Sequence, residues 1–258
     1  MSGIIQNPWT NLRRFTSARL ALGRAGDSLP THEVLEFAFA HAKARDAVHD
    51  SLDAESVTRD LGASGFQSIA VQSAVRDRAE YLRRPDLGRK LSDESTRLLV
   101  ERGAGETGQR KAPSNFAAVF IIADGLSAIA PARHAIAVLK EITNKLEGWQ
   151  IAPIIIATQA RVALGDEIGQ LLKAEMTVML IGERPGLSSP DSLGIYLTYK
   201  PRIGCTDADR NCISNVRPDG LSYEAAAHKL HHLMLAARRI GQSGVALKDE
   251  SDQPALLR

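Results

Sequence analysis

The sequence predicts an α/β protein, with a helical N-terminal region over residues 1–110 and then a mostly parallel sheet with covering helices over residues 111–258. Three observations carry this. Beyond residue 116, apolar strand-like runs alternate with helix-length segments, the pattern of strand–helix–strand units. Residues 178–181, Val-Met-Leu-Ile, are apolar without polar alternation, as a strand covered on both faces requires. Before residue 103 the apolar spacing is helical and shows no strand signal.

Residues 1–16 mix Pro8, Trp9, Arg13 and Arg14 without periodicity and read as an arm that orders against a partner. A connector rich in Gly and Pro follows, and Thr31 is the expected cap of a helix reaching about residue 51. Its expected inward side carries Val34, Leu35, Ala38 and Ala42. Residues 54–101 continue the helical pattern, broken by Pro85 and Gly88. Arg83, Arg84, Arg89 and Lys90 sit at that break as a basic rim. Residues 103–113 collect Gly, Thr, Gln, Arg and Lys and read as a linker.

Strands are then expected at 117–122, 151–157, 178–181 and 194–199, with helices at 124–146, from about 161 to 172, and at 222–240. The last helix turns Ala226, Leu230, Leu233 and Ala237 inward. Too few residues separate the third and fourth strands for a helical crossover, so the fourth is expected antiparallel or at an edge. Residues 205–220 read as a long polar loop, a segment type that is commonly functional.

Composition excludes several functions. The 258 residues, 44% of them hydrophobic, suffice for a core without staples. Lys and Arg number 32 against 30 Asp and Glu, a net charge of +2, which predicts neither a nucleic-acid nor a membrane partner. Cys205 and Cys212, with no signal-peptide pattern at the start, point to a reducing cytoplasm. Two cysteines without a matching pair do not make a structural zinc site, and His32, His41 and His49 lack ligand spacing, so no metal site is expected.

Three loops, at 124–127, 159–166 and 182–191, should meet at the carboxyl edge of the sheet, where open α/β sheets bind ligands. Glu183 and Arg184 stand there, between bends that Gly182 and Gly186 permit. Neither the Gly-x-Gly-x-x-Gly nor the Gly-x-x-x-x-Gly-Lys-Ser/Thr fingerprint occurs, which argues against NAD or ATP bound in the usual way. Cys212 is the one alternative center, as the nucleophile of a stand-alone hydrolase or transferase, but no histidine lies in the crevice loops to activate it. Ser127 does not occupy a Gly-x-Ser-x-Gly elbow.

Six segments carry a family resemblance: Thr16-Ser-Ala-Arg-Leu-Ala-Leu-Gly-Arg-Ala-Gly, His41-Ala-Lys-Ala-Arg-Asp-Ala-Val, Tyr81-Leu-Arg-Arg-Pro-Asp-Leu-Gly-Arg, Ala123-Asp-Gly-Leu-Ser-Ala, Gly182-Glu-Arg-Pro-Gly-Leu and Asn211-Cys-Ile-Ser-Asn. In this order, across nearly the whole chain, they resemble the small subunit of ethanolamine ammonia-lyase. The resemblance implies a Rossmann-like domain beside a large catalytic subunit, in an adenosylcobalamin-dependent enzyme that converts ethanolamine to acetaldehyde and ammonia by radical chemistry. It implies cofactor contacts at Val162, Glu183 and Cys212, with Arg161 as a further contact and no catalytic residue on this chain. The chain lacks Asp-x-His-x-x-Gly, so base-on cobalamin is expected, with no cobalt ligand from this chain. The implied location is the cytoplasm or a bacterial microcompartment, and the implied partner is the large subunit.

Overall fold

A computed structural model describes residues 3–103 and 116–251. One six-stranded sheet runs through the described residues in the order β1-β3-β2-β4-β5-β6. The strands are β1 (Ser68–Gln72), β2 (Val119–Ala123), β3 (Ile154–Thr158), β4 (Met176–Gly182), β5 (Leu193–Tyr199) and β6 (Arg210–Val216). The first four are parallel, β1 to β3, β3 to β2 and β2 to β4. β5 runs antiparallel between β4 and β6, which settles the open choice for the fourth expected strand.

Seven helices belong to the described chain: α1 (Thr31–His49), α2 (Ala54–Ala63), α3 (Arg78–Arg83), α4 (Asp93–Gly103), α5 (Ile129–Thr143), α6 (Leu164–Leu171) and α7 (Tyr223–Ile240). The side chains divide into two cores. Phe120, Ile122, Val178 and Leu180 pack toward α2, α5 and α7, whereas Ile121, Ile155 and Met179 pack toward α4 and α6. Alternate residues of one strand thus serve opposite layers, which is why β2 reads as unbroken apolar sequence. α7 is capped at both ends as its sequence demands. Ser222 accepts from the Ala225 amide, and Gly241 takes φ 76° at the C-cap. Ala226, Leu230, Leu233 and Ala237 are buried as expected.

Four expectations are corrected. The first half does contain a strand. β1 has one buried residue in five, and its Ser and Gln ends carry no apolar run, because an edge strand keeps one side toward water. The polar segment 205–220 contains β6, an edge strand for the same reason. Within the arm, residues 8–15 form a 3₁₀ helix in which Asn7 caps the Trp9 amide and Arg13 reaches the Leu20 carbonyl and Glu33. In α1 only Ala40 and Ala47 are buried, while Val34 and Leu35 of the expected inward side face outward. Thr31 is its first residue and no side chain caps it. The linker beyond Gly103 and the boundary at 110/111 lie outside the described residues.

Candidate functional site

β2 and β4 are neighbors, but the chain leaves β2 for β3 on one side, while β4 leads to β5 on the other. Their carboxyl ends are therefore the topological switch point of the sheet, where the connections diverge and leave a crevice. Two glycines let the loops close there. Gly125 takes φ 55°, and a side chain on it would strike the Gly182 carbonyl; one on Gly182 would strike Ser127 and Asp124. The Leu126 amide donates to the Gly182 carbonyl at 3.0 Å across this junction.

A cavity of about 460 Å³ opens at this point. Leu126, Val162, Ile181 and Tyr196 supply its apolar wall, and Arg161, Glu183 and Arg184 its charges. Glu183 is held from the residue before β5 and from β6. Its Oε2 accepts from the Ser192 hydroxyl at 2.5 Å and from the Asn215 amide at 3.3 Å, and its own amide donates to the Ser192 carbonyl. No hydrogen bond to Oε1 occurs among the described residues.

Arg161 lies against the fully buried Tyr81, its guanidinium 4.2 Å from the ring center. Its Nη2 donates to the Tyr81 carbonyl at 3.3 Å, and its buried Nε has no partner among the described residues. The turn before it is held by Asp124, a residue with no exposed surface. Oδ1 of Asp124 accepts from the amides of Gly125 and Ala160, and Oδ2 from the Gln159 amide and Arg78 Nη1. Burial, the largest cause, pushes the Asp124 carboxyl above its ordinary value, against the pull of the amides and Arg78. A protonated carboxyl would set its hydrogen against one of these four donors, so the group stands as a carboxylate.

Arg161, Val162 and Glu183, proposed from sequence, thus meet in one cavity. Cys212 does not line it. It is exposed on β6, opposite Tyr196 in the antiparallel ladder, with Ser214 Oγ at 3.3 Å from its sulfur. Neither neighbor is a base at neutral pH, and burial pushes the Tyr196 hydroxyl further up, so neither of these two described neighbors can activate the thiol. Of the basic rim, Arg84 is tied to Asp86 at 2.7 Å, and all four residues are exposed. Asp124, Tyr81 and Tyr196 were not singled out from sequence. Their only signal was place, for Asp124 the first position after an apolar strand.

A larger cavity of about 660 Å³ lies at the opposite rim beside Trp149 and Arg238 and contains none of these residues. Among the described residues no cluster of three or more His, Cys, Asp or Glu side chains could hold a metal.

The sequence model of the ethanolamine ammonia-lyase light chain (EutC) matches residues 6–248. The chain belongs to the ethanolamine ammonia-lyase light chain family. Similar proteins named ethanolamine ammonia-lyase small subunit come from Azotobacter vinelandii, 55% identical over 96% of this chain and 90% of that protein, and from Pseudomonas fluorescens Pf-5, 53% over 97% and 90%. One from Ralstonia nicotianae is 52% identical over 98% and 92%. In this light chain, the matched residues include every side chain of the switch-point cavity, from Tyr81 to Tyr196.

Proposed function

We propose that this chain is the small subunit of an adenosylcobalamin-dependent ethanolamine ammonia-lyase, a carbon–nitrogen lyase that turns ethanolamine into acetaldehyde and ammonia. On this reading it forms one wall of the cofactor site, at its interface with a large subunit that carries the catalytic residues. The observation that supports it best is the convergence of Arg161, Val162 and Glu183 on the switch-point cavity, in a member of that light-chain family.

The cavity suits the rim of a corrinoid, where methyl groups alternate with amide side chains. Leu126, Val162, Ile181 and Tyr196 offer apolar contact. Oε1 of Glu183 can accept from an amide N–H, and Arg161 and Arg184 can donate to an amide carbonyl. When bound, the group supplies radical chemistry; the side chains of this chain bind it, orient it and exclude water from that face. The proposal includes base-on cobalamin with no cobalt ligand from this chain, and residence in the cytoplasm or a bacterial microcompartment. Cys212, beside Tyr196 but outside the cavity lining, would touch the group only at its margin.

The 3₁₀ segment and α1 serve on this reading as the surface for the large subunit. Trp9, Phe15, Leu35 and Phe39 are each more than 60% exposed, and a helix with apolar residues on most of its circumference is one that a partner covers. No described helix is long and apolar enough to cross a membrane.

Co-expression of the two subunits, followed by adenosylcobalamin titration, tests the site. Glu183→Ala is expected to weaken binding by about 1–3 kcal/mol, because a buried amide loses its acceptor. Unchanged affinity in the reconstituted complex would remove Glu183 from the site, and turnover by the isolated chain would favor the Cys212 reading.

A further inference from the structure

Behind the cavity wall, one arginine joins the candidate site to α1. Arg78 begins α3, and its side chain is only 10% exposed. Its Nε donates to the Val48 carbonyl in the last turn of α1 at 2.8 Å, and its Nη1 donates to Asp124 Oδ2 at 3.2 Å. That same carboxylate holds the amides of Gln159 and Ala160 at 2.8 and 2.9 Å, the two residues directly before Arg161 and Val162.

A second set of contacts runs alongside. The Tyr81 ring lies between two guanidinium groups, 4.5 Å from Arg78 and 4.2 Å from Arg161. Its hydroxyl donates to the Ala160 carbonyl at 3.0 Å. Gln159 takes φ 55°, a conformation unfavorable for a residue with a side chain, so the turn depends on these outside contacts to keep its shape.

The other end of the connection is lightly held. α1 buries only Ala40 and Ala47 of its 19 residues, and a helix with so little buried surface opens more readily than the sheet. Whatever steadies α1 steadies Val48, and through it Arg78 and Asp124.

We propose that Arg78 is a positioning residue that couples the partner-facing helix α1 to the candidate cavity, so that docking of the large subunit stiffens the turn over residues 159–162. The coupling rests on the reading of α1 as the large-subunit surface. It does not depend on what the cavity binds.

Hydrogen exchange, measured on the full chain alone and in its co-purified complex without cofactor, tests it. In the wild type, complex formation should slow exchange in residues 159–162 by about tenfold. Arg78→Lys keeps a positive charge near Asp124 but lacks the fork that spans Val48 and Asp124. It should keep the fold and cut that slowing to below about threefold. Arg78→Gln should do the same, with faster exchange in both states. A merely structural arginine would raise exchange equally alone and in complex and leave the ratio intact, which would overturn the proposal. A wild-type ratio near one would also overturn it. If no complex forms, the reading of α1 falls and the coupling with it; if the complex forms and the lysine variant keeps the full ratio, only the coupling falls.

Discussion

β2 and the first half of α1 are similarly rich in large apolar side chains and treat them in opposite ways. Val119, Phe120, Ile121, Ile122 and Ala123 have no exposed surface, whereas Val34, Leu35, Phe37 and Phe39 are 48–64% exposed. Burial of apolar surface stabilizes by roughly 25 cal/mol per Å², so β2 contributes its full apolar surface to the fold and these α1 side chains only part of theirs. Apolar content alone therefore does not locate a core. On the proposed reading this exposed apolar surface is the one the large subunit covers, and most of it lies between Ile4 and Phe39.

Truncating one aromatic side chain in each region should separate the two most clearly. Phe120→Ala should lower the unfolding free energy of the isolated chain by about 3–5 kcal/mol, read from urea denaturation, since it leaves a cavity between β2 and its covering helices. Phe39→Ala should change it by less than about 0.5 kcal/mol. Equal losses would mean that α1 is part of the core after all.

The exposed side chains of α1 can also be made charged without loss of fold. Leu35→Glu combined with Phe39→Glu should leave the melting temperature of the isolated chain near the wild type. The same pair should weaken association with the large subunit by about 2 kcal/mol or more, measured by sedimentation. Intact assembly would move the partner surface elsewhere.

The smallest effect concerns a buried polar group on the sheet side. His134 on α5 bonds Tyr223 through Nδ1 at 2.8 Å, with Asp191 3.6 Å from its Nε2. Burial is the main cause that pulls its pKa below the ordinary 6.5, Asp191 opposing and Arg133 assisting. The unfolded chain then binds more protons below about pH 6.5, so stability falls as pH drops through that range and is flat above it. His134→Gln should flatten the loss by up to about 1 kcal/mol between pH 6.5 and 5.5. His231, shifted the same way by burial, keeps its share in both proteins. An identical slope in wild type and variant would show that His134 is not the titrating group.

The interior strands were readable because burial on both faces demands unbroken apolar residues, as 178–181 display. β1 and β6 were not, because edge strands tolerate polar residues such as Ser68, Gln72, Asn211 and Ser214, and their pairing depends on neighbors far along the chain. The α1 periodicity was read correctly as helix and wrongly as core. Local spacing reports that a face is apolar, and only the packed structure reports what lies against it.

The residues in order determined the α/β class, the interior strands, the family resemblance and the convergence of Arg161, Val162 and Glu183 on one rim. Tertiary structure decided which strands close the sheet, that Cys212 stands outside the cavity lining, and that Asp124 holds the turn beneath Arg161. Those contacts join positions 46 residues apart for Arg78 and Asp124, and 79 for Tyr81 and Ala160. Short-range periodicity encodes secondary structure, but hydrogen bonds across such separations exist only after the chain has folded and brought their ends together.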